Sequence, residues 1–173
     1  SCFPKDVKGF LNFVKSHGYS MPILESTDKI NENQPSIIIN MIKNKLVNLN
    51  GKKISILGLS FKKNTDDIRE AVSEKLVKKL LVLGLKINVH DPMAMENFRK
   101  KFSDKISYCK TIENCLLGSD CCVILTEWDS YRKLTPLIFT KNMKIPNIID
   151  ARRILNPVKF KDLNFKAIGL GNK

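Results

Sequence analysis

From residue 52 onward, short apolar runs alternate with amphipathic stretches, and this alternation limits the chain to few architectures. "KKISILGLS", "KINVHDP", "CCVILTEW", "PNIIDAR" and "FKAIGLG" read as strands, with "ISYC" a short extended segment. "DDIREAVSEKLVKKLLVLG", "MENFRKKF", "TIENCLLGS" and most of "SYRKLTPLIFTKN" read as helices between them, the first capped by Thr65 and closed by Gly84. The strands are continuous apolar runs rather than alternating ones, the pattern of strands buried on both faces. The predicted class is α/β: a Rossmann-like, mostly parallel sheet with helices on both faces and right-handed crossovers. Ligands of such sheets bind outside the carboxyl ends of the strands. The loops after Gly58, Asp91, Trp128 and Asp150 are therefore the places to look for a site.

The first 50 residues follow a different grammar. Val7, Phe10, Leu11 and Val14 fall at helical spacing, with Pro4 and Asp6 suited to a first turn and Gly18 to a stop. "YSMPIL" reads as a connection. In the stretch that follows, Ile38, Met41, Ile42 and Leu46 repeat at helical spacing, and Ile37, Ile39 and Leu49 widen the face. Such a face is expected to pack on a neighbouring domain and on a second subunit. Pro35 marks either a first turn or a kink in that helix. The boundary is placed at "NLNG", giving a helical segment over 1–50 and an α/β domain over 51–173.

Composition removes several functions. No apolar run is long enough to span a membrane, and no secretory signal is expected. The five cysteines form no C-x-x-C pair and lie far in sequence from His17 and His90, so no metal site is expected. They read as reduced, buried thiols of a cytoplasmic protein. The net charge of +13 admits an anionic partner, but lysine is spread along the whole chain and no nucleic-acid motif accompanies it.

Three stretches can carry chemistry. "GLSFKKNTDDIRE" has Gly58 but not the further glycines of a dinucleotide fingerprint. It offers instead the Phe61 ring and the Lys62 and Lys63 ammonium groups, suited to a base and a phosphate, or simply a solvated basic loop. "IIDARRIL" places Arg152 and Arg153 after a buried strand, where guanidinium groups can grip phosphate or carboxylate. In "SCFPKD", Cys2 precedes a helix N-terminus, which favours thiolate, and Asp6 lies one turn on. That pair suits covalent chemistry at a carbonyl; the alternative is an inert terminal thiol. Trp128, in "ILTEWD", reads as a packing residue that caps the sheet.

In this order and spacing, "SCFPKD", "INENQ", "GLSFKKNTDDIRE", "VHDP", "ILTEWD" and "IIDARRIL" resemble the UDP-glucose/GDP-mannose dehydrogenase family over essentially the whole chain. The resemblance implies oxidation of a nucleotide-sugar C6 alcohol to a carboxylate with NAD. UDP-glucose is the first choice of substrate, and a UDP-N-acetylhexosamine or GDP-mannose are the alternatives. It implies that the chain holds the central interdomain helix, through which a homodimer forms, and the C-terminal nucleotide-sugar domain. The NAD-binding domain lies outside it, so the chain alone is expected to bind UDP without turnover. Cys2 matches the nucleophile and Asp6 the aspartate that assists hydrolytic water. Phe61, Lys62 and Arg152 match substrate contacts, with Arg153 able to share the last role, and Arg69 matches an arginine that reaches NAD. The non-enzymatic alternative is a basic module binding nucleotide or nucleic acid.

Overall fold

A computed structural model of the protein describes residues 3–46 and 48–171. Two helices come first, α1 (Phe3–Ser16) and α2 (Pro22–Lys45). The α/β part follows as β1 (Lys53–Leu57), α3 (Val72–Val82), β2 (Lys86–His90), α4 (Met95–Phe102), β3 (Ser107–Tyr108), α5 (Ile112–Leu116), β4 (Cys121–Ile124), α6 (Asp129–Arg132), α7 (Pro136–Asn142), β5 (Asn147–Asp150) and β6 (Asn164–Ala167). Every strand pair is parallel, and the order across the sheet is β3-β2-β1-β4-β5-β6. This is the doubly wound order, with its switch point between β1 and β4.

The apolar runs are continuous because consecutive strand residues face different cores. Ile54, Ile56, Cys121, Val123 and Ile149 join α2, α3 and α4 in one buried cluster. Leu57, Cys122, Ile124 and Ile148 join Cys115, Tyr131 and Phe139 in a second cluster on the opposite face. Ser55, the one polar side chain of the β1 interior, is satisfied by donating to the Cys115 carbonyl at 2.6 Å.

Two helix starts differ from the sequence reading. The helix expected from Asp66 begins at Val72. Residues 66–71 bond among themselves instead: Thr65 Oγ1 accepts from the Asp67 N–H at 3.2 Å, and the Asp67 carboxylate accepts from the Arg69 N–H at 2.8 Å. Such side-chain-to-backbone turns compete with a helical ladder. Glu70, at φ +55°, then interrupts any helix directly. At the other end of α3 the expected stop holds, with Gly84 at φ +74°. The second departure is that "YSMPIL" is only partly a connection, because Pro22 already lies in the first turn of α2. Of the two readings of Pro35, a first turn or a kink, the first does not hold. It lies buried within the 24-residue helix, where it has no N–H to donate to the Asn31 carbonyl.

The second half of α2 belongs to the core through Ile38, Ile39 and Ile42. Its first half does not: Ile23 and Ile30 are 84% and 64% exposed. Helix α1 packs on α2 and buries Leu11.

Gly58 ends β1 at φ +98°, and a Cβ there would stand 2.5 Å from the Thr126 nitrogen and 2.6 Å from its Cβ. The β1 and β4 termini meet so closely that Thr126 Oγ1 donates to the Ser60 carbonyl at 2.7 Å. Gly58→Ala adds both backbone strain and a clash with main chain, so it is expected to cost roughly 3 kcal/mol or more. Urea unfolding of the variant checks this; unchanged stability would contradict the contact.

Candidate functional site

The carboxyl ends of β1, β4 and β5 lie side by side, and each releases a loop with chemical groups. Two buried aspartates shape these loops. Asp91, 3% exposed at the end of β2, accepts on one oxygen from the Leu59 N–H (2.7 Å), the Ser60 N–H (3.2 Å) and hydroxyl (3.3 Å), and Trp128 Nε1 (3.1 Å). Its other oxygen accepts from the Met93 and Ala94 N–H groups at 2.9 and 2.8 Å. Asp150, fully buried at the end of β5, accepts from the Arg152 N–H at 2.9 Å and from those of Ile154 and Leu155 at 2.8 Å each. The 151–155 turn is thereby fixed, with Arg153 at φ +53°.

The basic side chains stand on this frame. Lys62 is exposed, its Nζ 5.4 Å from the centre of the Phe61 ring. Lys63 donates to Asp129 at 3.0 and 3.3 Å. Arg152 donates from Nε and Nη2 to Glu127 Oε2 at 2.8 and 2.6 Å. Burial raises the Glu127 carboxyl, but the hydrogen bonds and charge of Arg152, together with backbone hydrogen bonds, outweigh it and hold the carboxyl below its ordinary value. The acidic residues flanking Trp128 thus tether the basic loop of β1 on one side and that of β5 on the other. A cavity of about 370 Å³ opens beside Arg152, lined by Glu127, Arg132, Ala151, Arg153 and Ile168.

The structure brings Phe61, Lys62 and Arg152 to one edge of the sheet. Arg69 lies on the outer part of the β1 loop, its side chain 86% exposed and its guanidinium on Asp67 at 2.6 Å. Asp6 is exposed on the first turn of α1, 3.6 Å from Lys5. Cys2 lies outside the described residues. Trp128 is a packing residue, 7% exposed, as its sequence suggested.

The tethers Glu127 and Asp129 and the loop builders Asp91 and Asp150 were not singled out for these roles. The available signal was an Asp directly after each of two apolar strands, in "VHDP" and "IIDAR". The other cysteines, Cys109, Cys115, Cys121 and Cys122, are free thiols. Cys109 departs from the buried, inert reading: it is partly exposed, and the neighbouring Cys115 thiol, with Lys53, lowers it to about 7.

The groups by which this fold holds a dinucleotide at the switch point are otherwise engaged here. The fold that binds one there needs glycines after β1 and a free acidic residue after β2 for the ribose. Here Gly58 is taken up by contact with Thr126, and the Asp91 carboxylate is turned inward onto the Trp128 indole and four backbone N–H groups. Among the described residues no cluster of His, Cys, Asp and Glu can hold a metal ion, and no helix is long and apolar enough to cross a membrane.

The model of the UDP-glucose/GDP-mannose dehydrogenase family, UDP binding domain, matches residues 55–157. A UDP-glucose 6-dehydrogenase of Bacillus subtilis is 35% identical over 152 residues, 88% of this chain and 34% of that protein. One from Rickettsia bellii is 33% identical over 175 residues, covering all of this chain and 40% of that protein. The chain therefore spans little more than a third of the length of these relatives. Among solved structures, a UDP-glucose dehydrogenase from the hyperthermophilic archaeon Pyrobaculum islandicum is similar at TM-score 0.82 and 32% identity, over 96% of this chain and 36% of that one.

Asp91→Asn sets an amide nitrogen against groups that all donate, so a loss of roughly 2–4 kcal/mol is expected. Trp128 is the only tryptophan, so its fluorescence reports the same change locally. An unaltered emission spectrum and unfolding midpoint would remove Asp91 from its organising role.

Proposed function

The chain belongs to the UDP-glucose/GDP-mannose dehydrogenase family and contains its UDP-binding domain, and from that premise we propose that it is the C-terminal part of an NAD-dependent enzyme oxidising UDP-glucose to UDP-glucuronate. The observation that carries the reading is the placement of an aromatic ring, an ammonium and a guanidinium on the two loops that flank β4. The choice of UDP-glucose over a UDP-N-acetylhexosamine or GDP-mannose rests on the similarity to UDP-glucose 6-dehydrogenases.

In this reading the uracil stacks on Phe61, and Lys62 and Arg152 neutralise the diphosphate. Glu127 orients Arg152 by occupying its Nε and Nη2. Cys2, as thiolate, adds to the C6 aldehyde to form a thiohemiacetal. Once C6 stands at the oxidation level of a thioester, water attacks it with Asp6 assisting, releasing the carboxylate and the free thiol. NAD, when bound, accepts the hydrides of the oxidation. It is held mainly by a domain outside this chain, toward which the exposed Arg69 reaches.

Residues 1–50 form the segment carrying the nucleophile and the interdomain helix, and 51–173 the UDP-sugar domain. A homodimer forms through α2, whose exposed Ile23 and Ile30 support that role. Free thiols and the nature of the substrate suit a cytoplasmic enzyme.

Calorimetry with UDP tests the nucleotide site. The chain alone is expected to bind UDP without reducing NAD, and Lys62→Ala or Arg152→Ala to weaken binding about tenfold or more, about 1.4 kcal/mol. Equal affinity in both variants would sink the site. In the intact enzyme Cys2→Ser is expected to abolish uronate formation, and full acid production by that variant would end the covalent mechanism.

A further inference from the structure

Four charges that the proposed chemistry does not use form a closed ring at the junction of the helical segment and the α/β domain. Glu32, on α2, receives Lys8 of α1 at 2.6 Å and Lys75 of α3 at 2.9 Å. Glu70, at the end of the β1 loop, receives the same two ammonium groups at 3.1 Å each. Charge alternates around the ring, and each member touches two of opposite sign. Hydrogen bonds, from Lys8 first for Glu32 and from Lys75 first for Glu70, hold both carboxyls below their ordinary values. The ring therefore stays intact at neutral pH.

Its location gives it more weight than a surface ion pair. Single exposed pairs contribute little, but networks with fixed geometry do more. Helix α1 has a thin core of its own: Leu11 is buried, whereas Phe10 and Phe13 are 49% and 60% exposed. The Lys8–Glu70 bond joins α1 directly to the loop that carries Phe61, Lys62 and Arg69. Glu70 also holds φ +55°, where glycine or asparagine is easier to accommodate. The position therefore carries a conformational cost, and its side chain is spent entirely on the ring.

The geometry points to Glu70 as a positioning residue that, through Lys8, Glu32 and Lys75, fixes α1, the helix that follows the nucleophile in sequence, against the nucleotide-binding loop. This rests on the function proposed above. There the nucleophile Cys2 directly precedes α1 in sequence and the nucleotide is held by the β1 loop, so the ring sets how α1 meets the substrate anchor. A misplacement near 1 Å in such geometry lowers rates about a hundredfold.

The test uses the intact enzyme with Glu70→Gln and with the fully inverted ring Lys8→Glu, Glu32→Lys, Glu70→Lys, Lys75→Glu. Glu70→Gln is expected to lower kcat about tenfold or more while KM for the UDP-sugar and the Kd for UDP stay within about threefold. Hydrogen exchange is expected to speed up together in α1 and in residues 58–71. The inverted ring is expected to restore kcat to within about threefold of wild type and to restore protection. A carboxylate acting on substrate could not be replaced by lysine, so restoration separates positioning from direct catalysis. Unchanged kcat or unchanged exchange in Glu70→Gln, or a loss that inversion does not repair, overturns the proposal while an active wild type leaves the underlying function standing. A wild-type enzyme that forms no uronate from a UDP-sugar ends that function and the proposal with it.

Discussion

Six hydrogen bonds converge on the Asp91 carboxylate, drawn from the β1 loop, the turn before α4 and the Trp128 indole. A buried charge is expensive unless every lone pair is engaged, and here the engagement is what shapes the carboxyl edge of the sheet. Leu59 and Ser60 are held so that the chain leaves β1 toward Phe61 and Lys62. Trp128 is held so that Glu127 and Asp129 lie on either side of it, each with a basic partner from a different loop. Asp150, at the end of β5, repeats the device for the turn that bears Arg152. The basic side chains are mounted on loops, yet these loops are anchored in the low-dielectric interior, which preorganises them.

The strands were legible because burial on both faces imposes continuous apolar runs, which β1, β4 and β5 carry, whereas β2 alternates, with Ile87 and Val89 buried between less buried Lys86, Asn88 and His90. The β1 loop was legible in content but not in shape. Phe61 and Lys62 were identifiable by position after a strand, whereas residues 66–70 looked like a first helical turn. Thr65, Asp66 and Asp67 suit a helix cap and a self-bonded turn equally well, and only the tertiary setting, with Asn97 donating to Asp66 at 3.0 Å and Lys8 and Lys75 on Glu70, selects the turn. The tethers were illegible for a different reason. Lys63 and Asp129 are 66 positions apart, and Arg152 and Glu127 25 apart, so nothing local announces the pairing. Of the two readings of Pro35, the first turn is ruled out by its place within α2.

The strongly basic composition is met locally by ion pairs that join one stretch of the chain to another. Its acidic residues are fewer, but many are used as linkers between elements: Glu32 and Glu70 in the ring, Glu74 with Lys78 and Lys101, Asp120 with Lys52, Glu127 and Asp129 with Arg152 and Lys63. The lysines they engage stand on α1, α3 and α4 and on the segments before and after β1.

The close approach of Gly58 to Thr126 bears on how a fold changes its ligand. The strand order of a dinucleotide-binding domain is retained in full, and so is the first glycine after the first strand, but that glycine now serves the contact between two strand ends. Restoring the missing glycines to this loop would therefore not by itself recreate a cofactor site, because the Asp91 carboxylate stays engaged by the Trp128 indole and four backbone N–H groups. A designer working back toward such a site would have to free Asp91 as well. Ligand choice in this topology thus depends on how the acid after its second strand is spent as much as on the glycine pattern after its first.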